Sequence, residues 1–211
     1  MPSLDRSDFL RVTRLNGALE ANVGSSRRRS ALEAVFIETA AHLDSDNRKV
    51  LACLPAKIAE AMGAFGWAWN GFYAPRGSVG SADELHLSFA HGPPVCSPLV
   101  RSGGPLTSGM CFDALHLNQT LAAFDAKSWP GYVSCDAASG LGTVAGIVVP
   151  VRDPIGRPIA VWDLDATQPI EPGDVRVVDV LFATLARCLE FQPEDFRLPS
   201  DLGTEARQPA R

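Results

Sequence analysis

Val144-Ala-Gly-Ile-Val-Val-Pro-Val151, the connector Arg152-Asp-Pro-Ile-Gly-Arg157, and Pro158-Ile-Ala-Val-Trp-Asp-Leu-Asp165 decide the fold. Two apolar runs rich in β-branched residues, joined by Asp, Pro and Gly, predict an antiparallel hairpin, because those three residues supply reverse-turn dihedrals. Downstream, Pro172 suits a first helical turn and Asp174 complements the positive end of a helix. Val178, Leu181, Phe182, Leu185 and Leu189 then make one apolar stripe, which predicts a closing helix over 174–190. Upstream, 67–73 and 84–90 read as two strands joined by a Gly/Ser/Pro/Asp loop, and 120–124 as a short strand. Residues 108–117 read as a short helix carrying Cys111. Nearer the start, Ser30 and Glu33 form a capping box for a helix over 31–43. A second helical stretch runs to about Met62, with Pro55 kinking it or marking its start. Helices, then strands, then a closing helix is an α+β order.

The chain has 211 residues, of which 46% are apolar and 20% charged, enough for one core with flexible ends. A formal net charge of -5 gives no electrostatic reason to expect nucleic acid or an anionic membrane as partner. No apolar run approaches the ~20 residues that span a bilayer. Met1-Pro-Ser-Leu-Asp-Arg6 lacks the pattern of a secretory signal, so the expected location is cytoplasmic. Residues 1–29 are expected as a partly flexible extension with a short helix over 9–19, and its Arg27-Arg-Arg29 run as solvated charge. The domain proper is expected over 30–191. The polar, Pro-rich 192–211 segment reads as a mobile tail with nothing to bury.

Five cysteines stand at 53, 96, 111, 135 and 188. In a reducing compartment they are not a disulfide framework. Cys53 and Cys188 fall in helical stretches and read as small buried hydrophobes. Cys96, Cys111 and Cys135 lie among Gly, Pro, Ser and Asp in two long irregular stretches, 91–107 and 125–142, and near them. Long loops in compact domains tend to be functional. A thiolate attacks, and a nearby thiol can resolve the oxidised product as a disulfide, so three loop cysteines suggest redox cycling. Zinc is the rival, with a histidine as fourth ligand. Structural zinc sites use close-spaced Cys pairs, whereas these cysteines are 15 and 24 residues apart. No metal or other cofactor is called for. Asp163 and Asp165 alternate with Trp162 and Leu164, so both carboxylates share one face of their strand. Two like charges on one face raise at least one pKa, which suits a proton donor or a cation site; a solvated strand end is the plainer reading.

Several of these stretches together resemble the free methionine-(R)-sulfoxide reductases, GAF-domain thiol enzymes. Trp69-Asn70-Gly71-Phe72-Tyr73 is similar to the family's Trp-X-Gly-Phe-Tyr strand. Leu85-His86-Leu87, continuing to Gly92 and Cys96, matches the approach to its first cysteine, and Gly109-Met110-Cys111 resembles its second. Pro130-Gly131-Tyr132-Val133-Ser134-Cys135-Asp136-Ala137-Ala138-Ser139 resembles the segment around its third. Ile147-Val148-Val149-Pro150 and Asp163-Leu164-Asp165 match its last two strands. The resemblance covers about residues 30–190 and occurs in order throughout.

The resemblance implies a GAF-like fold, a central, mainly antiparallel sheet of five to six strands flanked by helices. It implies Cys135 as the nucleophile, Cys96 or Cys111 as the resolving thiol, and Asp163 as a proton donor. Substrate would be bound by Trp69, Tyr73, Asp163, Asp165 and Tyr132, with Trp69 as an apolar wall for its methyl group; for a lone strand aromatic, core packing is the plainer reading. Thioredoxin or a similar reductant would restore the thiols, and a homodimer is compatible with the family. Two departures bear on the substrate. Ser139-Gly-Leu-Gly-Thr-Val-Ala-Gly146 is longer than the family's segment and lacks the glutamate that helps hold the substrate's amino group. The stretch between Cys96 and Cys111 is longer too. Free methionine-(R)-sulfoxide is the first substrate implied, a different S-oxide or N-oxide the second, and a non-catalytic ligand-binding GAF module the alternative of another class.

Overall fold

The computed structural model describes residues 26–42, 46–76, 83–103, 107–132 and 140–197. In chain order its elements are α1 (Ser26–Ala40), α2 (Asn47–Met62), β1 (Trp67–Pro75), β2 (Glu84–His91), β3 (Leu99–Val100), α3 (Met110–Leu117), β4 (Leu121–Ala123), β5 (Ala145–Arg152), β6 (Pro158–Ala166) and α4 (Pro172–Leu189). The six strands form one sheet in the order β3-β2-β1-β6-β5-β4, antiparallel at every pairing. This is the expected α+β architecture. The strand not foreseen is β3, two residues long inside the stretch read as irregular.

The β5–β6 hairpin is closed by Asp153. Its carboxylate accepts from the backbone N–H of Ile155 and Arg157 and from the Arg157 side chain, while Gly156 adopts φ of +84°. Alternation then sorts the two faces. Ile147, Val149, Trp162 and Leu164 join the larger core with the stripe of α4, while Val148 and Val161 join a smaller cluster on the opposite face. On the helix side, the Trp162 ring lies 5.1 Å from Phe182, and its indole N–H donates to the buried Asn70, which in turn donates to the Pro55 carbonyl. Burying each such large side chain contributes on the order of 1.5–3 kcal/mol.

A register shift between Trp67 and Trp69 breaks the alternation of β1. Trp67 enters the helix-side core, whereas Trp69 and Tyr73 emerge on the other face, beside Asp165 and Val161 of β6. This bulge puts an indole next to the carboxylates.

Two local expectations change, at Ser30 and past Gln192, and two helices gain detail. Ser30 lies inside α1, which begins at Ser26, so it is not the helix cap. Pro55 sits within α2; Asp46 caps that helix by accepting from the Arg48 N–H. The first helix packs chiefly on α2, and it is α2 that covers β1 and β2. Past Gln192 the chain is not without apolar burial: a short 3-10 turn, Pro193–Phe196, docks the buried Phe196 against Phe72 and Phe191. α4 starts as expected, with Pro172 in its first turn and Asp174 closing back on the Glu171 N–H. The expected helix over 9–19 lies outside the described residues.

Candidate active site

On the face away from α4, a cavity of about 340 Å³ opens between the sheet and the 95–112 segment. Its floor comes from the sheet. Trp69 pairs with Asp165, Gly71 with Asp163 and Tyr73 with Val161, so these side chains share one face by register. β5 flanks the carboxylates from the other side, with Gly146 opposite Asp165 and Val148 opposite Asp163. Cys96 and Cys111 also line the cavity, as do Tyr132 and Thr143. Seven of the eight site residues read from sequence therefore meet in one place. The eighth, Cys135, lies outside the described residues.

Asp163 is the central group. It borders the cavity half-buried, and desolvation pushes its carboxyl up from the ordinary 3.8 to about 6, against the smaller opposing pull of hydrogen bonds from Cys111 and the Leu164 N–H. The Cys111 thiol donates to Oδ2 of Asp163 at 3.3 Å. Cys111 is in the first turn of α3, which Gly109 opens with φ of +93°, a conformation that favours glycine. Asp113 in the same turn is buried and accepts from the Trp129 indole N–H at 3.1 Å, tying the 126–132 segment to α3.

Cys96 is held through its backbone: the Tyr73 hydroxyl donates to the Cys96 carbonyl at 2.7 Å. Ser97 Oγ accepts from the Leu87 N–H, anchoring the same loop to β2. The Trp69 and Tyr73 rings lie 6.0 Å apart, and Trp69 rests on glycines: a Cβ at Gly92 would come within 2.6 Å of its ring, and one at Gly71 within 3.0 Å. Trp69 is thus both buried and cavity-lining, which unites the core and wall readings.

The described cysteines are all free thiols. Cys53 is exposed, not buried as expected, because α2 buries Val50, Leu51, Leu54 and Ile58 on its other side. Cys188 is half-buried against the larger core. Lys127 is an exposed residue of a short 3-10 turn. Sequence reasoning did not single out Ser102, Ser108 or Thr143, the polar hydroxyls of the lining. Thr143 lies in the segment where the resembled family has its glutamate, and that position was the signal to follow.

Sheet order, flanking helices and a cavity on the face opposite α4 decide the fold. It is a GAF fold. The chain is similar to the free methionine-R-sulfoxide reductase of Neisseria meningitidis, solved in complex with its substrate, at 26% identity and a TM-score of 0.63 over 79% of this chain and 92% of that one. It is similar also to a putative GAF sensor protein from Burkholderia vietnamiensis, at 23% identity and 0.62 over 77% and 94%. The substrate-bound reductase of Staphylococcus aureus matches at 20% identity and 0.57 over 77% and 95%. No protein-family model matches the sequence, and no curated protein is significantly similar to it. The GAF-fold neighbours thus include sulfoxide reductases and sensor-type domains alike. No helix among the described residues is long and apolar enough to cross a membrane.

Proposed function

We propose that this protein is a thiol-dependent reductase of small methionine-type sulfoxides. The observation that carries the reading is the contact of Cys111 with Asp163 inside a cavity that also holds Cys96, Trp69 and Asp165. A sulfoxide is reduced when a thiolate attacks sulfur as an acid protonates the oxygen. Asp163, held up at about 6, is the donor suited to that step. Asp165 is its partner on the floor, facing a substrate ammonium. Trp69 and Tyr73 wall the thioether end.

Cys135 is the nucleophile in this reading. Its sulfur takes the oxygen: the sulfoxide sulfur gains two electrons and becomes a thioether, and Cys135 loses two and becomes a sulfenic acid. Cys96 or Cys111 then attacks the sulfenic sulfur, water leaves and a disulfide forms. An external dithiol of the thioredoxin type takes up the oxidising equivalents by thiol–disulfide exchange.

The test is a panel of sulfoxides, both epimers at sulfur, and amine oxides, offered to the full chain with dithiothreitol as reductant. Reduction of a methionine-type sulfoxide that Cys135→Ser abolishes supports the reading. A second reading, ligand binding without chemistry, is favoured by the likeness to the Burkholderia vietnamiensis sensor-type domain and by the many apolar residues of the lining. It expects saturable binding with no oxide reduced and no thiols lost.

A further inference from the structure

We infer that Arg101 is the anion anchor of the cavity: the ligand is a small molecule bearing a carboxylate, which the guanidinium meets beside Phe112. Only the sulfoxide end of that ligand rests on the reductase reading.

Arg101 follows β3 directly, and its backbone N–H donates to the Asp83 carbonyl at 2.8 Å, which fixes it where the edge strand ends. Its neighbours on either side, Val100 and Ser102, both line the cavity. Arg101 is half-buried, and its guanidinium carbon lies 5.1 Å from the centroid of Phe112, another lining residue. Stacking on an aromatic face holds the planar fork without consuming its N–H donors. Nε is shut off from solvent and donates to nothing, and no ion pair among the described residues involves Arg101. A shielded donor without a partner is costly, and a bound carboxylate would satisfy it.

The first turn of α3 sets the two ends of the ligand side by side. Cys111, bonded to Asp163, and Phe112, under Arg101, are consecutive residues of that turn. Charge favours the same assignment. The described lining residues include the carboxylates of Asp163 and Asp165 and no Lys, Arg or His, so an entering anion is repelled from the floor and drawn to the guanidinium. An arginine fork meets a carboxylate through two parallel N–H bonds, which a lysine cannot reproduce. Arg101 stands in the stretch between Cys96 and Cys111 that is longer than the resembled family's, so the anchor belongs to this chain's own extension.

Binding separates this from catalysis. Two thioethers that cannot be reduced further are titrated calorimetrically into the full chain: L-methionine, with a carboxylate, and L-methioninamide, without one. Arg101→Met keeps an apolar stem over Phe112. It should weaken L-methionine about tenfold or more and leave L-methioninamide within about twofold. Arg101→Lys should show a smaller loss of the same selectivity, and it carries the test alone if Arg101→Met does not fold. An equal loss for both ligands would make Arg101 a packing residue and overturn the inference. Unchanged L-methionine affinity, or no binding of L-methionine to the wild type, would overturn it too. In parallel, KM for L-methionine-(R)-sulfoxide should rise in Arg101→Met with little change in kcat. If L-methionine binds through Arg101 and no sulfoxide is reduced, the reductase reading fails and the anchor stands. Reduction with the same KM in both proteins leaves the reductase and removes the anchor.

Discussion

The Cys111 thiol donates to the Asp163 carboxylate at 3.3 Å, joining α3 to the middle of the sheet across 52 positions of sequence. The acid and a candidate resolving thiol are therefore one hydrogen-bonded unit. Changing the protonation of either alters the other. If Asp163 delivers the proton to the sulfoxide oxygen, kcat/KM should fall as pH rises through about 6, where Asp163 ionises. Asp163→Asn should lose about 100-fold or more in rate and lose that limb of the pH profile. A steady-state pH profile of both proteins checks this; an unchanged limb in the variant assigns it to another group.

Asp163 also predicts how stability depends on pH. Burial raises its carboxyl from 3.8 to about 6, so the folded state binds this proton more tightly than the unfolded chain does. The associated stability is complete below about pH 4 and is lost as pH rises through about 6. Asp163→Asn removes the cost of the buried charge. It should raise stability by on the order of 1–3 kcal/mol at neutral pH and have little effect near pH 4. Thermal unfolding of the two proteins at both pH values measures the difference. A gain that is the same at both would mean that ionisation of Asp163 is not its source.

Much of this was legible because β patterning is local. The hairpin, the α4 stripe and the shared face of Asp163 and Asp165 follow from period and turn chemistry alone. Features set by tertiary contacts were not. The bulge that sends Trp67 and Trp69 to opposite faces breaks the alternation a strand normally keeps. The two residues of β3 are too few to show a period. Cys53 lies in a helix whose buried stripe runs along the other side. The Tyr73 bond to Cys96 joins a strand to a loop 23 positions on, and no local pattern encodes it.

Phe196 tests where packing ends. It is an apolar residue in a mostly polar segment, and its ring centroid lies 5.7 Å from that of Phe72 and 5.8 Å from that of Phe191. The same segment is held to α2: Asn47 donates to Asp195 and to the Leu189 carbonyl. Phe196→Ala should cost roughly 3–5 kcal/mol by denaturant unfolding. A truncation after 192 should cost at least as much. If both leave the midpoint unchanged, the docked turn contributes nothing in solution.

Gly92 tests the seat of Trp69. It adopts φ of +125°, and a Cβ there would stand 2.6 Å from the indole. Gly92→Ala must strain the backbone and push the ring. Trp69 forms part of the cavity wall, so KM should rise about tenfold with a smaller change in kcat, and the tryptophan emission should shift. A variant that is merely less stable, with unaltered KM and emission, would remove Trp69 from the binding wall.

The thiols are separable by single substitutions, because the described ones occupy different environments. Cys111 is buried and bonded to Asp163, Cys96 is half-buried in a loop anchored by Tyr73, and Cys53 is exposed on α2. Cys53→Ser should therefore change neither rate nor stability by more than about 0.5 kcal/mol. Cys135→Ser should abolish reduction. The resolving residue is the one whose loss leaves a single turnover and a sulfenic acid trappable by dimedone. Cys111→Ser has a second expected signature. A serine hydroxyl still donates to Asp163, so the acid limb of the pH profile should survive even if the disulfide cannot form. Cys111→Ala removes that donor and should move the limb upward, since the hydrogen bond opposes the effect of burial. If neither Cys96→Ser nor Cys111→Ser stalls the enzyme at the sulfenic acid, an external thiol resolves Cys135 directly. Mass spectrometry of peptides alkylated before and after one equivalent of sulfoxide distinguishes these outcomes.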